Sequence, residues 1–186
     1  MKTFCFKFFS VLCGFLMSSV SMSSAFAADT DIAIIFYSRS GNTEQLARFS
    51  SEFTGGDVFR IEPSPAYPDG YHATVDKVKE EMNAGILHGF KDINIDLSKY
   101  DTVILASPTW WGHIPSPLEN WLKTVAVSFN GKKVVTFNSH GGSGVANTRA
   151  DFEKVLPSAK FGTHLSVSGS PTKEQVENWL KENHII

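Results

Sequence analysis

Five apolar runs alternate with five amphipathic ones along this chain, and that alternation confines it to one class of fold. The strand-like runs are Ile32 to Tyr37, Asp57 to Ile61, Thr102 to Ala106, Lys133 to Asn138 and Thr163 to Val167. The first, third and fourth are dense in Ile, Val, Leu and Phe, as strands covered on both faces must be. Between and after the strands the spacing predicts helices over Thr43 to Phe53, Tyr71 to Ala84, Pro117 to Val125, Val145 to Leu156 and Thr172 to Asn183. Leu118, Trp121, Leu122 and Val125 recur at helical spacing, as do Val176, Trp179 and Leu180, so Trp121 and Trp179 read as core residues. Strand and helix in strict alternation give a parallel, doubly wound sheet with helices on both faces. At 186 residues, without repeats or low-complexity tracts, the chain has room for one such domain.

The first 27 residues stand apart from that pattern. Lys2 and Lys7 precede the apolar run Phe8 to Met17, and a Ser-rich stretch leads to Ala25-Phe26-Ala27. This is the layout of a secretory signal peptide with an A-x-A cleavage site. The run is about half the roughly 20 residues that span a bilayer. The expected mature chain therefore begins at Ala28, residues 28–186 forming the domain, in the periplasm or secreted. No twin-arginine pair precedes the run, so the export route expected is the Sec type. Cleavage removes Lys2 and Lys7, shifting the net charge from −2 to −4, and removes both cysteines, Cys5 and Cys13. A chain without thiols has no disulfide, no Cys nucleophile and no Cys-ligated metal. Its mild acidity gives no electrostatic reason to bind nucleic acid.

In a doubly wound sheet, ligands bind beyond the carboxyl ends of the strands, where the strand order reverses. Three unusual loops follow the first, third and fourth strands: Ser38-Arg39-Ser40-Gly41-Asn42-Thr43, then Ser107-Pro108-Thr109-Trp110-Trp111-Gly112-His113-Ile114-Pro115, then Asn138-Ser139-His140-Gly141-Gly142-Ser143-Gly144. The first opens a helix, whose unpaired N–H groups and partial positive charge suit a phosphate. Taken singly, it reads equally as a helix cap and the third as a tight turn. The adjacent indoles in the second cannot both point inward from one short loop, so one is expected to face a ligand.

The same three loops carry a family resemblance. Ser38 to Thr43 resembles the phosphate loop of flavodoxins, Ser107 to Gly112 resembles the loop that wraps the flavin ring, and Asn138 to Gly144 resembles the second ring loop. Pro63-Ser64-Pro65-Ala66-Tyr67-Pro68 is similar to a stretch in the branch with WWG and HGGSG loops. The resemblance spans nearly all of the mature chain. It implies a flavodoxin-like α/β/α sandwich with five parallel strands in the order 2-1-3-4-5 and FMN as cofactor. Ser38, Ser40, Gly41, Asn42 and Thr43 would hold the FMN phosphate, with Arg39 shielding it. Pro108, Thr109, Trp110, Trp111 and Gly112 would hold the ring from one side, and Asn138, Ser139, His140, Gly141, Gly142 and Gly144 from the other. The absence of G-x-G-x-x-G argues against a dinucleotide.

The function implied is electron transfer outside the cytoplasm, to a redox partner protein or a small quinone-like acceptor. No stable membrane insertion is expected after signal cleavage. Two departures from electron-carrier flavodoxins keep other readings open. His140 and glycines stand where many carriers place a stacking Tyr, and the dense acidic cluster with which carriers dock is missing. A two-electron, FMN-dependent quinone-type reductase is one alternative, with His140 as proton donor or as a residue that only holds its loop. A non-enzymatic flavin-binding protein is another. A serine hydrolase is disfavoured, because Val145 stands where G-x-S-x-G needs its last glycine. The histidines show no metal-binding spacing, so no metal is expected.

Overall fold

The computed structural model describes residues 31–186. The expected signal peptide, its expected cleavage site and both cysteines lie outside the described residues. Five strands, β1 (Ile32–Phe36), β2 (Asp57–Arg60), β3 (Thr102–Pro108), β4 (Lys133–His140) and β5 (Lys160–Ser168), form one sheet in the order β2-β1-β3-β4-β5. All four pairings are parallel. The helices are α1 (Asn42–Thr54), α2 (Tyr71–Ala84), α3 (Ser116–Val125), α4 (Thr148–Val155) and α5 (Lys173–Glu182).

Each face of the sheet buries one helical stripe. Leu46 and Ala47 of α1 and Val176, Trp179 and Leu180 of α5 pack on Ile34, Phe36, Ile104 and Phe137. Leu118, Trp121 and Leu122 of α3 and Phe152 of α4 pack on Ala33, Ile35, Val103 and Leu105. Alternate residues of each inner strand thus serve opposite cores, as the two-residue side-chain period requires. Trp121 and Trp179 are 2% and 3% exposed, which places both inside the core. Burying a large apolar side chain contributes about 1.5–3 kcal/mol.

Four elements differ from the expectation by two residues or more, each for a local reason. The strands β3 and β4 run two residues further, because Thr109 N–H donates to Ser139 O at 2.8 Å and carries the ladder into the loops. Helix α4 starts at Thr148 instead of Val145: Ala146 takes a φ of 44°, and the Thr148 hydroxyl donates back to Val145 O at 2.6 Å. The strand β5 is longer than expected and bulged. Val134 pairs with Phe161 but Thr136 pairs with His164, so three residues of β5 match two of β4. The order reverses between β1 and β3, whose chains leave toward opposite faces, and a crevice opens there.

Candidate cofactor site

The start of α1 is an uncapped helix terminus. Gly41 occupies the N-cap with a φ of 91°, and no side chain caps the turn. Gln45 N–H is the first to meet an intrahelical acceptor, Gly41 O at 2.9 Å. Among the described residues none accepts from the N–H groups of Asn42, Thr43 or Glu44. Gly41 takes this conformation without the strain a Cβ would bring, and an added Cβ there would meet nothing within 4 Å. The surrounding side chains hold the loop's shape. The Ser38 hydroxyl accepts from Gly41 N–H at 3.1 Å, and Arg60 Nη2 donates to Ser38 O at 2.7 Å. Arg39 Nη2 donates to Gly70 O at 3.0 Å, pinning the entry of α2 over the loop. Glu44 turns its carboxylate to Arg48 and Arg60, which hold it below the usual carboxylate range, the Arg48 hydrogen bond contributing most. The Thr43 hydroxyl is buried and hydrogen-bonded to Ser139 at 2.9 Å, so it ties the first loop to the third.

After β3 the chain reverses in two residues. Trp110 and His113 exchange both backbone hydrogen bonds at 2.9 Å, and Trp111 and Gly112 between them have φ of 50° and 84°. Positive φ at both central positions is the mark of a type I′ turn, which asks for glycine at the second position. The two indoles separate as the short loop demands. Trp110 packs edge-on against Tyr37 and Tyr67, ring centroids 5.2 and 5.5 Å away. Trp111 is 52% exposed, with Lys79 Nζ 5.7 Å from its ring centroid. Burial pushes the phenols of Tyr37 and Tyr67 above their ordinary range, so both stay neutral beside Trp110. His113 Nδ1 donates to the Asp151 carboxylate at 3.0 Å, and Ile114 N–H donates to the same oxygen at 3.1 Å, which anchors the exit of the turn to α4.

The loop after β4 closes the other side. Asn147 N–H donates to Gly112 O at 2.8 Å, joining the second and third loops. His140 Nδ1 accepts from Gly142 N–H at 3.0 Å, so its proton sits on Nε2 and one of its nitrogens serves the loop itself. Asn138 is fully buried, and its side chain hydrogen-bonds to Thr109, Gly144 and His164.

These loops converge on one cavity of about 670 Å³. Arg39, Ser40 and Asn42 line it from the first loop, Pro108 to Trp111 from the second, and Ser139 to Gly141 from the third. Ser38, Gly41, Thr43, Gly112, Asn138, Gly142 and Gly144 are not part of its wall. Sequence reasoning missed the remaining wall: Tyr71, Thr74, Val75 and Val78 of α2, and Ser168 and Gly169 at the end of β5. Two signals pointed there, Gly70 at the start of α2 and Gly169 just past the last strand.

Behind the cavity, His164 is a partly buried base. Desolvation, with a smaller push from Arg149, pulls its imidazole from 6.5 down to about 4. The unfolded chain protonates near 6.5 and the folded one near 4, so between these values the unfolded state carries the extra proton. This contribution to stability is complete above pH 6.5 and is lost as the pH falls to 4. At 1.36 kcal/mol per pH unit, and discounted for the ring's partial exposure, it amounts to about 2 kcal/mol. Urea unfolding of the wild type and of His164→Gln at pH 7 and 4.5 is expected to show a smaller loss on acidification in the variant. Equal losses in both would rule out this source.

A flavodoxin family model matches residues 31–183. Among solved structures, a candidate flavoprotein from Bacteroides eggerthii superposes with a TM-score of 0.70 at 23% identity, covering 82% of this chain and 96% of its own. A flavoprotein from Lactobacillus acidophilus, solved in complex with FMN, gives 0.65 at 19% identity over 81% and 98%. The two-electron reduced flavodoxin of Megasphaera elsdenii gives 0.50 at 22% over 81% and 98%. Among curated proteins the sequence has no match.

Proposed function

We propose that this chain, which belongs to the flavodoxin family, binds FMN in the cavity at the end of its sheet and serves in electron transfer outside the cytoplasm. The observation that carries the reading is the meeting of an uncapped helix start with two aromatic- and glycine-rich loops at one cavity. The donor set suits a phosphate monoester: backbone N–H groups of Asn42, Thr43 and Glu44 and the exposed Ser40 hydroxyl, with Glu44 turned away to its arginines. The FMN-bound relative from Lactobacillus acidophilus shares the fold.

FMN, when bound, supplies the redox chemistry, and the chain's part is to hold it and tune its surroundings. The start of α1 anchors the phosphate. Trp111, half-exposed on the cavity wall, offers an indole face for stacking, and Trp110 backs the turn from Tyr37 and Tyr67. Few cationic groups reach the ring side of the cavity, which disfavours added negative charge there and lowers the potential at which electrons are accepted.

The opening sequence supports an exported protein that loads FMN after translocation and receives its electrons from a membrane-bound or secreted donor. The open wall formed by Tyr71, Thr74 and Val75 leaves access for a small acceptor and so favours, as a second reading, two-electron reduction of a quinone. Exported protein, recovered and begun at Ala28 by mass, is incubated with FMN and desalted. One equivalent of retained flavin is expected. Retained flavin that passes electrons to a quinone in multiple turnovers supports the reductase reading, and retention without turnover supports the carrier. No retained flavin overturns both.

A further inference from the structure

A polar chain beneath the cavity links the bulge in β5 to both ring loops. Asn138 donates through Nδ2 to Thr109 Oγ1 at 2.7 Å and to Gly144 O at 3.0 Å, one contact in each loop. Both amide hydrogens are thereby used, so Oδ1 needs a donor, and it meets His164 Nε2 at 2.6 Å. His164 must carry its hydrogen on Nε2, which leaves Nδ1 to accept from Thr136 Oγ1 at 2.7 Å. One tautomer satisfies every group in the chain. The alternative tautomer sets two acceptors against each other, and a flipped Asn138 sets its oxygen against Gly144 O.

The bulge puts His164 in position to do this. In a regular ladder Thr163 would stand opposite Thr136 and His164 would face α5. Here Gly162 and Thr163 both face α5 and His164 comes back to the face of Thr136 and Asn138. Asn183, beyond α5, holds the bulge: its Oδ1 accepts from Thr163 N–H at 2.8 Å and its Nδ2 donates to Thr163 Oγ1 at 2.7 Å.

We propose that His164 is a positioning residue for a flat heteroaromatic ring: by donating from Nε2 it fixes the amide of Asn138, which clamps the loops after β3 and β4 at the spacing of a ring slot. The inference rests on the flavin reading of the cavity and adds a residue outside it. Asn138, expected from the sequence to touch the cofactor, becomes the clamp behind the loops. His164 makes no contact with the phosphate end, where the donors are Ser40 and the N–H groups that open α1.

The test compares His164→Gln, whose amide nitrogen falls where Nε2 lies, with His164→Leu and with His164→Asn, whose amide reaches only the Thr136 side. Each protein, recovered after export, is titrated with FMN and with inorganic phosphate, and amide hydrogen exchange at Thr109 to Gly112 is followed without ligand. Losing one buried hydrogen bond and freeing its partners is expected to weaken FMN binding about tenfold to a hundredfold in Leu and Asn. Phosphate binding stays within about twofold, exchange in the turn rises about tenfold, and Gln restores FMN binding to within about threefold. Should Leu fail to fold, Asn against Gln carries the comparison. Equal weakening in Gln and Asn, or wild-type exchange in Asn, overturns the proposal. If the wild type takes up no FMN, the flavin reading fails by itself, and exchange in the ligand-free protein still decides whether His164 holds the loops.

Discussion

Riboflavin, which has the ring of FMN without its phosphate, is expected to bind this protein at least about a hundredfold more weakly than FMN. The reason is the donor geometry at the start of α1. Three successive N–H groups, of Asn42, Thr43 and Glu44, have no acceptor among the described residues, and Gly41 leaves their approach open. Hydrogen bonds to a charged acceptor contribute about 1.5–3 kcal/mol each. Two of them, with the helix dipole adding about 0.3–1 kcal/mol, exceed the 2.7 kcal/mol or so that a hundredfold requires. The nearby cations are committed elsewhere, Arg39 to Gly70 O and Arg60 to Glu44 and Ser38 O. The discrimination should therefore depend only weakly on salt, because few mobile side-chain charges are involved. It should depend on pH, since a phosphate monoester gives up its second proton near pH 6. FMN affinity is expected to fall about tenfold between pH 7 and 5 while riboflavin affinity barely moves. Calorimetric titration of both ligands at the two pH values checks this. A gap under tenfold at pH 7 would take the phosphate out of the site and leave the ring loops as its sole anchor.

The strands and helices were legible because each states its role locally. Ile32 to Tyr37 is apolar on both faces, Trp121 and Trp179 sit in helical stripes, and their burial follows from periodicity alone. The three loops were legible for the same reason, since Gly, Ser and paired Trp at strand ends have few structural uses. What escaped depends on partners distant in sequence. Tyr71, Thr74 and Val75 look like one face of an amphipathic helix, and what brings them to the cavity is tertiary: Arg39 holds Gly70 O, and Glu81 further along the helix bonds Tyr67 and His88. The bond that ties the Thr43 hydroxyl to Ser139, 96 residues on, has no local signal either. Asn138 read as the last residue of its strand and the first of its loop, while β4 runs on to His140, so its side chain is buried inside the ladder. The bulge in β5 has no local signature beyond Gly162, since its freed N–H is taken by Asn183, twenty residues later.

Gly162→Ala is the substitution expected to damage the fold most for its size. A Cβ at this position would lie 2.4 Å from Asn183 Oδ1 and 2.8 Å from Val135 Cγ1. Val135 is fully buried and Asn183 is 4% exposed, so neither has empty space to move into. Relief requires turning Asn183, which gives up its bonds with Thr163 N–H, Thr163 Oγ1 and Trp179 O. Unsatisfied buried groups cost about 1–3 kcal/mol each, and overpacking against Val135 adds about 1–3 kcal/mol. The helpful effect of replacing glycine in a strand is about 0.5–1 kcal/mol and does not offset them. A net loss of about 3 kcal/mol is expected, a fall in Tm of about 10 °C for a domain of this size. The cause can be isolated with Asn183→Ala, which removes the oxygen that the new methyl meets. In that background Gly162→Ala should cost at least about 1 kcal/mol less, and strict additivity would place the damage at Val135 or elsewhere in the strand. Because the bulge sets the face on which His164 stands, the same variant should loosen FMN more than inorganic phosphate at temperatures where it remains folded. A one-carbon change on the α5 side of the sheet would then be read out at a ring slot at the sheet's end, through β5, His164 and Asn138 in turn.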